Sequence, residues 1–328
     1  MIVPAGIARL SGGEPLPEHL RGGVVAVGNF DGVHRGHQAV LGAAREIARS
    51  MGKPLLCLTF EPHPRSVFNP AEPVPRLTPA PIRARLLDAL GFDAVVEQGF
   101  DKDFAGIEPD AFVKTVLVEQ LQAAHVVAGF DFHYGRKRTG TPQTLKEAGA
   151  RHGFGATLVP ALGDVDGETI SSSRIRALLE YGNVDRAAEM LGYRWTIGGT
   201  VQTGAKLGRT LGYPTANILL VPDTMLKFGI YAVRLRRADG SLHDGVASYG
   251  RRPTFDNGAA LFETFLFDFS DDLYGEEVAV SVFGFLRGEE KFDGVEALVA
   301  QMDRDSENAK ALLAKAAPLG DLDRAITF

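Results

Sequence analysis

The chain has 328 residues, which is enough for about two domains of ordinary size. Hydrophobic residues make up 45% and charged residues 23%, proportions that are ordinary for globular proteins and that supply apolar material for two cores. The formal net charge of −6 argues against nucleic acid or an anionic membrane surface as a partner, because both attract basic proteins.

Cysteine usage and the start of the chain bear on the compartment. The one cysteine, Cys57, lies in the apolar run Leu55–Leu58, so we expect a buried thiol and a reducing compartment, the cytoplasm. Residues Met1–Gly13 lack the features of a signal peptide, and no apolar stretch approaches the length of a membrane span. We therefore expect neither a membrane nor a nucleic acid as a partner; the oligomeric state is left open.

Strand-like and helix-like segments alternate in the first half of the chain, which predicts an α/β fold with a parallel sheet and helices on both faces. The predicted strands are Val24–Val27, Pro54–Phe60, Ala94–Val96, His125–Ala128 and Ala156–Val159. The predicted helices are Gln38–Ala48, Pro79–Leu90, Pro109–Leu117, Pro142–Arg151, Ser172–Tyr181 and Val184–Leu191. Ligands bind such sheets outside the carboxyl ends of the strands.

After Arg194 the pattern changes to strands separated by Gly, Asp and Pro turns, which predicts an antiparallel, barrel-like domain. The predicted strands are Trp195–Val201, Tyr231–Arg236, Asp244–Tyr249, Leu261–Phe269 and Glu277–Phe285. One long helix with an apolar stripe from Val295 to Leu313 is expected to close the chain, with Asp293 and Glu296 as its N-terminal capping box. We place the domain boundary near Leu191–Arg194, giving domains 1–190 and 191–328.

The run GNFDGVHRGH, from Gly28 to His37, lies between the first predicted strand and the first predicted helix. Backbone N–H groups and the positive end of a helix dipole meet there, so the turn suits a phosphate, and the imidazoles of His34 and His37 can donate to it. A surface turn is the plain alternative. Half of a metal site is a weaker one, because no cysteine cluster or third clustered histidine accompanies the pair.

A second candidate phosphate site is the run ISSSRIR from Ile170 to Arg176, which again opens a predicted helix. Serine hydroxyls and N–H groups can bind phosphate there, and arginine adds a fixed fork of donors. Alternatively one serine is only a helix cap and Arg176 only a surface ion-pair partner. The pairing with the histidine motif favours phosphate binding.

A glycine-rich run from Gly199 to Arg209 resembles a Walker loop only superficially, because the spacing of that motif is absent. It precedes what we predict to be a Pro-Thr-Ala-Asn turn rather than a long helix. Its glycines allow close approach of the backbone to phosphates, and a hairpin loop is the alternative.

Four segments of the first half occur in the order seen in a known family: GNFDGVHRGHQ from Gly28, TFEPHPRSVF from Thr59, VVAGFDFHYG from Val126, and ISSSRIR from Ile170. They resemble the HxGH nucleotidylyltransferases and, more narrowly, the FMN adenylyltransferase module of prokaryotic bifunctional FAD synthetases. The resemblance implies a Rossmann-like nucleotidylyltransferase sheet over residues 1–190.

The same resemblance implies site residues. His34 and His37 would be catalytic and hold ATP phosphates. The other ATP-binding residues implied are Asn29, Asp31, Ser172, Ser173 and Arg176, and the flavin-binding residues implied are Phe60, Pro62, His63, Pro64 and Asp131. The alternative for the flavin side is that Phe132 and Tyr134 are core aromatics and His63 a loop histidine.

The second half resembles the riboflavin kinase family, which implies a six-stranded antiparallel β-barrel with a terminal helix over residues 191–328. The segments are GTVQTGAKLGRTLGYPTAN from Gly199, GIYAV from Gly229, GRRPTF from Gly250, FETFLFDF from Phe262, and LYGEEVAVSVFGFLRGEEKF from Leu273. One departure is Ser248, where family members often carry asparagine.

By this resemblance Thr215 and Asn217 would bind Mg²⁺ and phosphate, and Glu263 would take the proton from the ribityl hydroxyl. A solvated strand carboxylate is the alternative for Glu263. The ATP contacts implied are Gly204, Lys206, Gly208 and Arg209, and a surface role is the alternative for Lys206 and Arg209.

The sequence therefore predicts a bifunctional enzyme of flavin cofactor biosynthesis. Its small-molecule substrates would be riboflavin, FMN and ATP, with Mg²⁺ as cofactor; the products of the two steps would be FMN and then FAD with pyrophosphate. The alternatives are the same fold with only one functional active site, and a flavin-binding regulatory protein that does not turn over.

Overall fold

The computed structural model describes residues 6–203, 212–220, 224–251 and 260–328. They form two compact units. One holds the described residues up to Val74 together with Arg83–Ser171, and the other holds Pro75–Ile82 together with Ser172–Phe328. No helix in the described ranges is long and apolar enough to cross a membrane.

The first unit is built on a six-stranded sheet in which every pair of neighbours is parallel. The strands are β1 (Ala8–Ser11), β2 (Val24–Val27), β3 (Leu55–Glu61), β4 (Ala94–Gly99), β5 (His125–Gly129) and β6 (Gly155–Val159), in the spatial order β1-β4-β3-β2-β5-β6. The helices of this unit are α1 (Arg35–Met51), α2 (Pro64–Phe68), α3 (Ala80–Ala89), α4 (Lys102–Ala105), α5 (Pro109–Phe112) and α6 (Pro142–His152). The first three residues of α3 belong to the second unit.

The central strand β2 is apolar along its whole length. All four residues of β2 are buried, which is typical of a parallel strand packed on both sides. Val25 and Val27 belong to a core that also contains Leu117, from the helical turns that follow α5, and Leu145 of α6. The loops after β2, β3 and β5 consequently leave the sheet at one edge, because these three strands are adjacent and parallel.

The second unit is a closed barrel of six antiparallel strands. They are β7 (Thr196–Gln202), β8 (Thr215–Leu219), β9 (Gly229–Arg236), β10 (Leu242–Arg251), β11 (Ala260–Leu266) and β12 (Glu277–Arg287), and the unit also contains helices α7 (Ser172–Glu180), α8 (Val184–Leu191), α9 (Val295–Leu313) and α10 (Asp321–Thr327). The predicted fold class, a parallel sheet followed by a six-stranded antiparallel barrel, is confirmed.

Helix α9 lies on the outer face of the barrel over β9, β10 and β12. Ala309 and Leu313 pack there against Ala232 and Phe283. Gly284 leaves room for Leu312 at this contact, because a Cβ atom at position 284 would lie 2.5 Å from Leu312 Cδ1. A larger residue there would force the Leu312 side chain to move.

Several sequence-based predictions about local structure were wrong. The Pro-Thr-Ala-Asn segment is not a turn, since Thr215 begins strand β8. Helix α9 starts after Gly294 with no side-chain cap, so Asp293 and Glu296 form no capping box. Its first residue, Val295, is 60% exposed and not part of the apolar stripe.

Strand β1 and the helices α2, α4 and α10 were not predicted at all, and because α10 follows α9, helix α9 does not close the chain. The predicted helix Pro109–Leu117 is α-helical only to Phe112 and continues in wider π-type turns over Val113–Gln120.

Candidate functional site

The Gly28–His37 turn joins the carboxyl end of β2 to helix α1 through a strained backbone. Phe30 and Val33 have φ angles of 47° and 38°, a left-handed conformation that is a genuine outlier for a β-branched residue such as Val33. Both side chains are buried. Strain of this kind persists only where the surroundings impose it, and it concentrates at functional sites.

The two histidines of the turn have different surroundings. His34 caps α1, because its Nδ1 accepts the backbone N–H of His37 at 3.2 Å. Its imidazole stacks on that of His37, with ring centroids 3.6 Å apart. Gly36 leaves room for this pair, since a Cβ atom there would lie 3.2 Å from the His34 ring.

His37 is an uncharged imidazole at neutral pH. Burial lowers its pKa well below 6.5, and the adjacent His34 ring lowers it further. Its Nδ1 is buried and has no hydrogen-bond partner among the described residues. His37 can therefore offer a phosphate an N–H donor without carrying a charge of its own.

Neighbouring strands bring other predicted residues to the same edge of the sheet. Thr59 of β3 donates its hydroxyl to the backbone oxygen of Asn29 at 3.1 Å, which ties the histidine turn to β3. Asp31 is buried within the turn. Asp131 lies two residues beyond β5 and is exposed.

An aromatic cluster runs along this edge from the loop after β5 to the loop after β3. Its members make ring contacts with centroids 5.3–6.2 Å apart, and they are Phe60, Phe68, Phe100, Phe104, Phe112, Phe132 and Tyr134. Tyr134 is a core residue, as the alternative interpretation proposed, and so is Phe60. Phe68 is 67% exposed and offers a flat apolar surface at the end of the cluster.

Between β3 and this exposed ring lie the predicted residues Pro62, His63 and Pro64. The peptide from Glu61 to Pro62 is cis. His63 is buried and caps α2 by accepting the Arg65 N–H at Nδ1, and Pro64 is the first residue of that helix. The sequence signal for Phe68 was its place in the TFEPHPRSVF segment, yet only the structure shows its exposure.

The serine motif belongs to the second unit. Ser172 and Ser173 are the first two residues of α7, as predicted. Arg176, one turn further on, is buried and donates Nε–H to the Pro75 backbone oxygen at 2.7 Å. Its guanidinium is thus fixed by a neighbouring segment and is not a mobile surface group.

On the barrel, the predicted residues Asn217 and Glu263 lie side by side with Ser248. Glu263 of β11 is directly opposite Asn217 of β8 on one side and opposite Ser248 of β10 on the other. Burial alternates along β11 with Phe262 and Thr264 inside the barrel. Glu263 therefore points outward, with the Asn217 and Ser248 side chains on the same face about 5 Å away.

Asn217 carries the feature that fits a cation. It is 5% exposed, and its Oδ1 has no hydrogen-bond partner among the described residues. Its Nδ2 donates to the Thr215 backbone oxygen at 3.3 Å. A buried amide oxygen without a donor is costly unless something binds it, and a hard cation such as Mg²⁺ prefers such oxygens.

Helix α9 holds the segment that leads into Thr215. The Tyr213 ring packs on Phe265, with centroids 4.6 Å apart, and its hydroxyl donates to Asp303 of α9. Burial and this bond raise the pKa of Tyr213 to about 12. The remaining predicted ATP contacts, Gly204, Lys206, Gly208 and Arg209, lie outside the described residues.

Comparison with known proteins finds two family matches along the chain. The family described as FAD synthetase matches residues 16–174, and the family described as riboflavin kinase matches residues 191–313. A bifunctional riboflavin kinase/FMN adenylyltransferase from Listeria monocytogenes is 42% identical over 296 residues, which cover 89% of this chain and 93% of that protein. The protein of the same name from Bacillus subtilis is 36% identical over 303 residues, covering 90% and 93%.

The fold has a close counterpart among solved structures. A crystal structure from Streptococcus pneumoniae, titled as a macrolide-efflux protein, superposes with a TM-score of 0.79 at 32% identity and covers 93% of this chain and 99% of that one. The likeness extends over both units, taken along the chain.

Proposed function

We propose that this chain, which belongs to the family of bifunctional riboflavin kinase/FMN adenylyltransferases, makes FMN from riboflavin and then FAD from FMN. ATP is the co-substrate of both steps. In the first, the γ-phosphoryl group passes to riboflavin and ADP leaves; in the second, AMP passes to FMN and pyrophosphate leaves. The observation that carries the proposal is that one chain holds both the stacked His34–His37 pair and the Asn217–Glu263–Ser248 row.

The kinase step belongs to the barrel. Glu263 takes the proton from the ribityl hydroxyl as that oxygen attacks the γ-phosphorus, a role that needs an accessible carboxylate in the right place. Thr215 and Asn217 would hold Mg²⁺, and the buried Oδ1 of Asn217 supports this. The bound ion would neutralise phosphate charge. Gly204, Lys206, Gly208 and Arg209 would contact ATP.

The adenylyltransferase step belongs to the sheet domain. A phosphate oxygen of FMN attacks the α-phosphorus of ATP, and the bond to pyrophosphate breaks. His34, which accepts at Nδ1, donates from Nε2, and the neutral His37 donates its own N–H to the phosphates. Donors fixed in advance stabilise the charge that moves onto pyrophosphate. The further ATP contacts proposed are Asn29, Asp31, Ser172, Ser173 and Arg176.

FMN would bind along the aromatic cluster. Its flat ring system matches the exposed face of Phe68, which joins the predicted flavin residues Phe60, Pro62, His63, Pro64 and Asp131. We assign this chemistry to residues 1–190 and the kinase to residues 191–328, and we propose the cytoplasm as the location because a lone buried thiol suits a reducing compartment.

A time course tests the proposal. The pure protein is incubated with riboflavin, ATP and Mg²⁺, and the flavins are separated at intervals. We expect FMN to appear first and FAD to follow. Riboflavin that persists unchanged would refute the proposed kinase activity. FMN that accumulates without FAD would refute the proposed adenylyltransferase activity.

A further inference from the structure

One charged side chain of the first unit is completely buried and takes no part in the chemistry above. Arg83 lies in α3 with a side-chain exposure of 0%. Its Nη2 donates to Glu61 Oε1 at 2.6 Å, and it lies 3.7 Å from Glu97 Oε1. Its Nε and Nη1 are buried and have no hydrogen-bond partner among the described residues.

Burying the Arg83 guanidinium in this way lowers the stability of the folded state. A guanidinium removed from water is compensated only when its donors are satisfied, and here two of the three nitrogens are not. A pair of apolar side chains of similar volume would serve stability as well or better. The ion pair therefore calls for a reason other than stability.

The position of Glu61 supplies that reason. It is the last residue of β3, and the chain continues directly into Pro62, His63 and Pro64 on the proposed flavin side. Glu61 is half-buried, so it stays where Arg83 holds it. The bond fixes the point at which the flavin-side segment leaves the sheet.

The same face of β3 fixes the other substrate loop. Side chains alternate along a strand, so Thr59 and Glu61 point to one side. Thr59 holds Asn29 of the histidine turn, and Glu61 is held by Arg83. The spacing between the ATP-side turn and the flavin-side segment is thus set by two neighbouring polar residues of one strand.

We propose that Arg83 is a positioning residue of the adenylyltransferase, which acts through Glu61 to place the Pro62–Pro64 segment where FMN binds. The inference rests on the proposed function of the first unit. It concerns the binding of FMN and not that of ATP, because Glu61 leads directly into the Pro62–Pro64 segment, whereas the histidine turn is held by Thr59.

The test uses the full chain and compares Arg83→Met with the double variant Arg83→Met/Glu61→Met. For Arg83→Met we expect the KM for FMN in FAD formation to rise about tenfold or more, since a small misplacement of a binding segment has effects of this size. The KM for ATP and the rate of FMN formation from riboflavin should stay at their wild-type values. The control Arg9→Met, which removes the exposed partner of Glu97, should leave the KM for FMN unchanged.

The double variant separates positioning from stability. An apolar pair removes the buried charge, so we expect the melting temperature to recover while the KM for FMN remains raised. Recovery of both would overturn the inference, as would an equal rise of the two KM values. If Arg83→Met does not fold, Glu61→Gln replaces it, and an unchanged KM for FMN in that variant would also overturn the inference. Failure of the proposed function is a different result, a wild-type chain that makes no FAD.

Discussion

The stacked histidines show how one residue type fills two roles within four positions. His34 spends Nδ1 on capping α1, which fixes its tautomer and its ring. No described residue forms a hydrogen bond with Nδ1 of His37, and burial keeps the ring neutral. The pair is therefore a rigid surface that can present N–H donors to a phosphate.

The uncharged state of His37 can be measured. We expect its ring resonances in an NMR titration to keep their neutral chemical shifts as the pH falls through 6.5, because burial and His34 lower its pKa. His37→Asn identifies the resonances by their loss. Since the unfolded chain binds this proton at a higher pH than the folded chain, the site also loses stability as the pH falls below 6.5. A titration midpoint near 6.5 would contradict the interpretation.

The buried side chain of Asn217 leads to a second prediction, which concerns the binding of Mg²⁺. If its buried Oδ1 binds Mg²⁺, Asn217→Ala should raise the Mg²⁺ concentration needed for half-maximal FMN formation by at least about tenfold, the lower end of what outer-shell changes cost. Leu219→Ala is the matched control, since Leu219 is an exposed residue of the same strand. FAD formation from added FMN should be unaffected in both variants. An unchanged Mg²⁺ requirement in Asn217→Ala would remove Asn217 from the metal site.

At the scale of elements, helix α9 contacts both the barrel strands and the segment that leads into the proposed kinase site. It packs on three strands, and through Asp303 it holds Tyr213, two residues before Thr215. The proposed kinase residues are therefore held by the register of β8, β10 and β11 and, through Tyr213, by helix α9.

The contact at Gly284 provides a measure of that packing. Gly284→Ala forces its new methyl group against Leu312 and should cost about 1–3 kcal/mol of unfolding free energy. Trp195, the one tryptophan of the chain, is buried in this unit, so its fluorescence reports the unfolding of the unit. Gly288→Ala, where a Cβ atom meets nothing within 4 Å, should be nearly neutral. Restored stability on adding Leu312→Ala would support the steric cause, and equal losses in the two glycine variants would refute it.

Helix α10 is held by a buried carboxylate. Asp323 has an exposure of 0% and accepts from the Arg194 guanidinium, from the backbone N–H groups of Arg194 and Leu319 at 2.9 Å, and from the Thr327 hydroxyl. Arg194 in turn lies over the rings of Phe283 and Phe328. The residues after the riboflavin kinase match thus form part of the folded unit.

Removing that carboxylate should be severe. We expect Asp323→Ala to lower the unfolding free energy of the barrel by about 3 kcal/mol or more, because Arg194 and two N–H groups lose their acceptor. Asp321→Ala, at an exposed position of the same helix, should cost less than about 1 kcal/mol. Unfolding is again followed by Trp195 fluorescence. Similar small losses in both variants would mean that α10 does not stabilise the barrel.

For the whole molecule, the sequence was most informative where local pattern decides structure. The β-α alternation predicted the sheet and placed the Gly28–His37 turn after a strand, as observed. The sequence-based prediction was wrong at β8, because five residues that contain Asn217 and follow Pro214 show no strand pattern. They form a strand only through pairing with β7 and β11. Helix α10 is likewise stabilised by distant arginines.

The partners of buried polar side chains could not be predicted from the sequence either, because they come from segments that are distant along the chain. Nothing in the pattern around Arg83 distinguishes it from a surface arginine of an amphipathic helix. Among the described residues, however, it is the largest fully buried side chain. The departure at Ser248 was visible in the sequence, but its place opposite Glu263 needed the strand register. The boundary at residue 190 and the individual site roles remain predictions.

The central claim is that one chain holds two independent active sites, and two variants test it most directly. With riboflavin, ATP and Mg²⁺, His37→Asn should accumulate FMN and make no FAD. Glu263→Gln should leave riboflavin unchanged but still convert added FMN to FAD. Circular dichroism and Trp195 fluorescence establish that each variant is folded. This division of losses is the predicted result, and a folded variant of either kind that loses both activities would contradict the account.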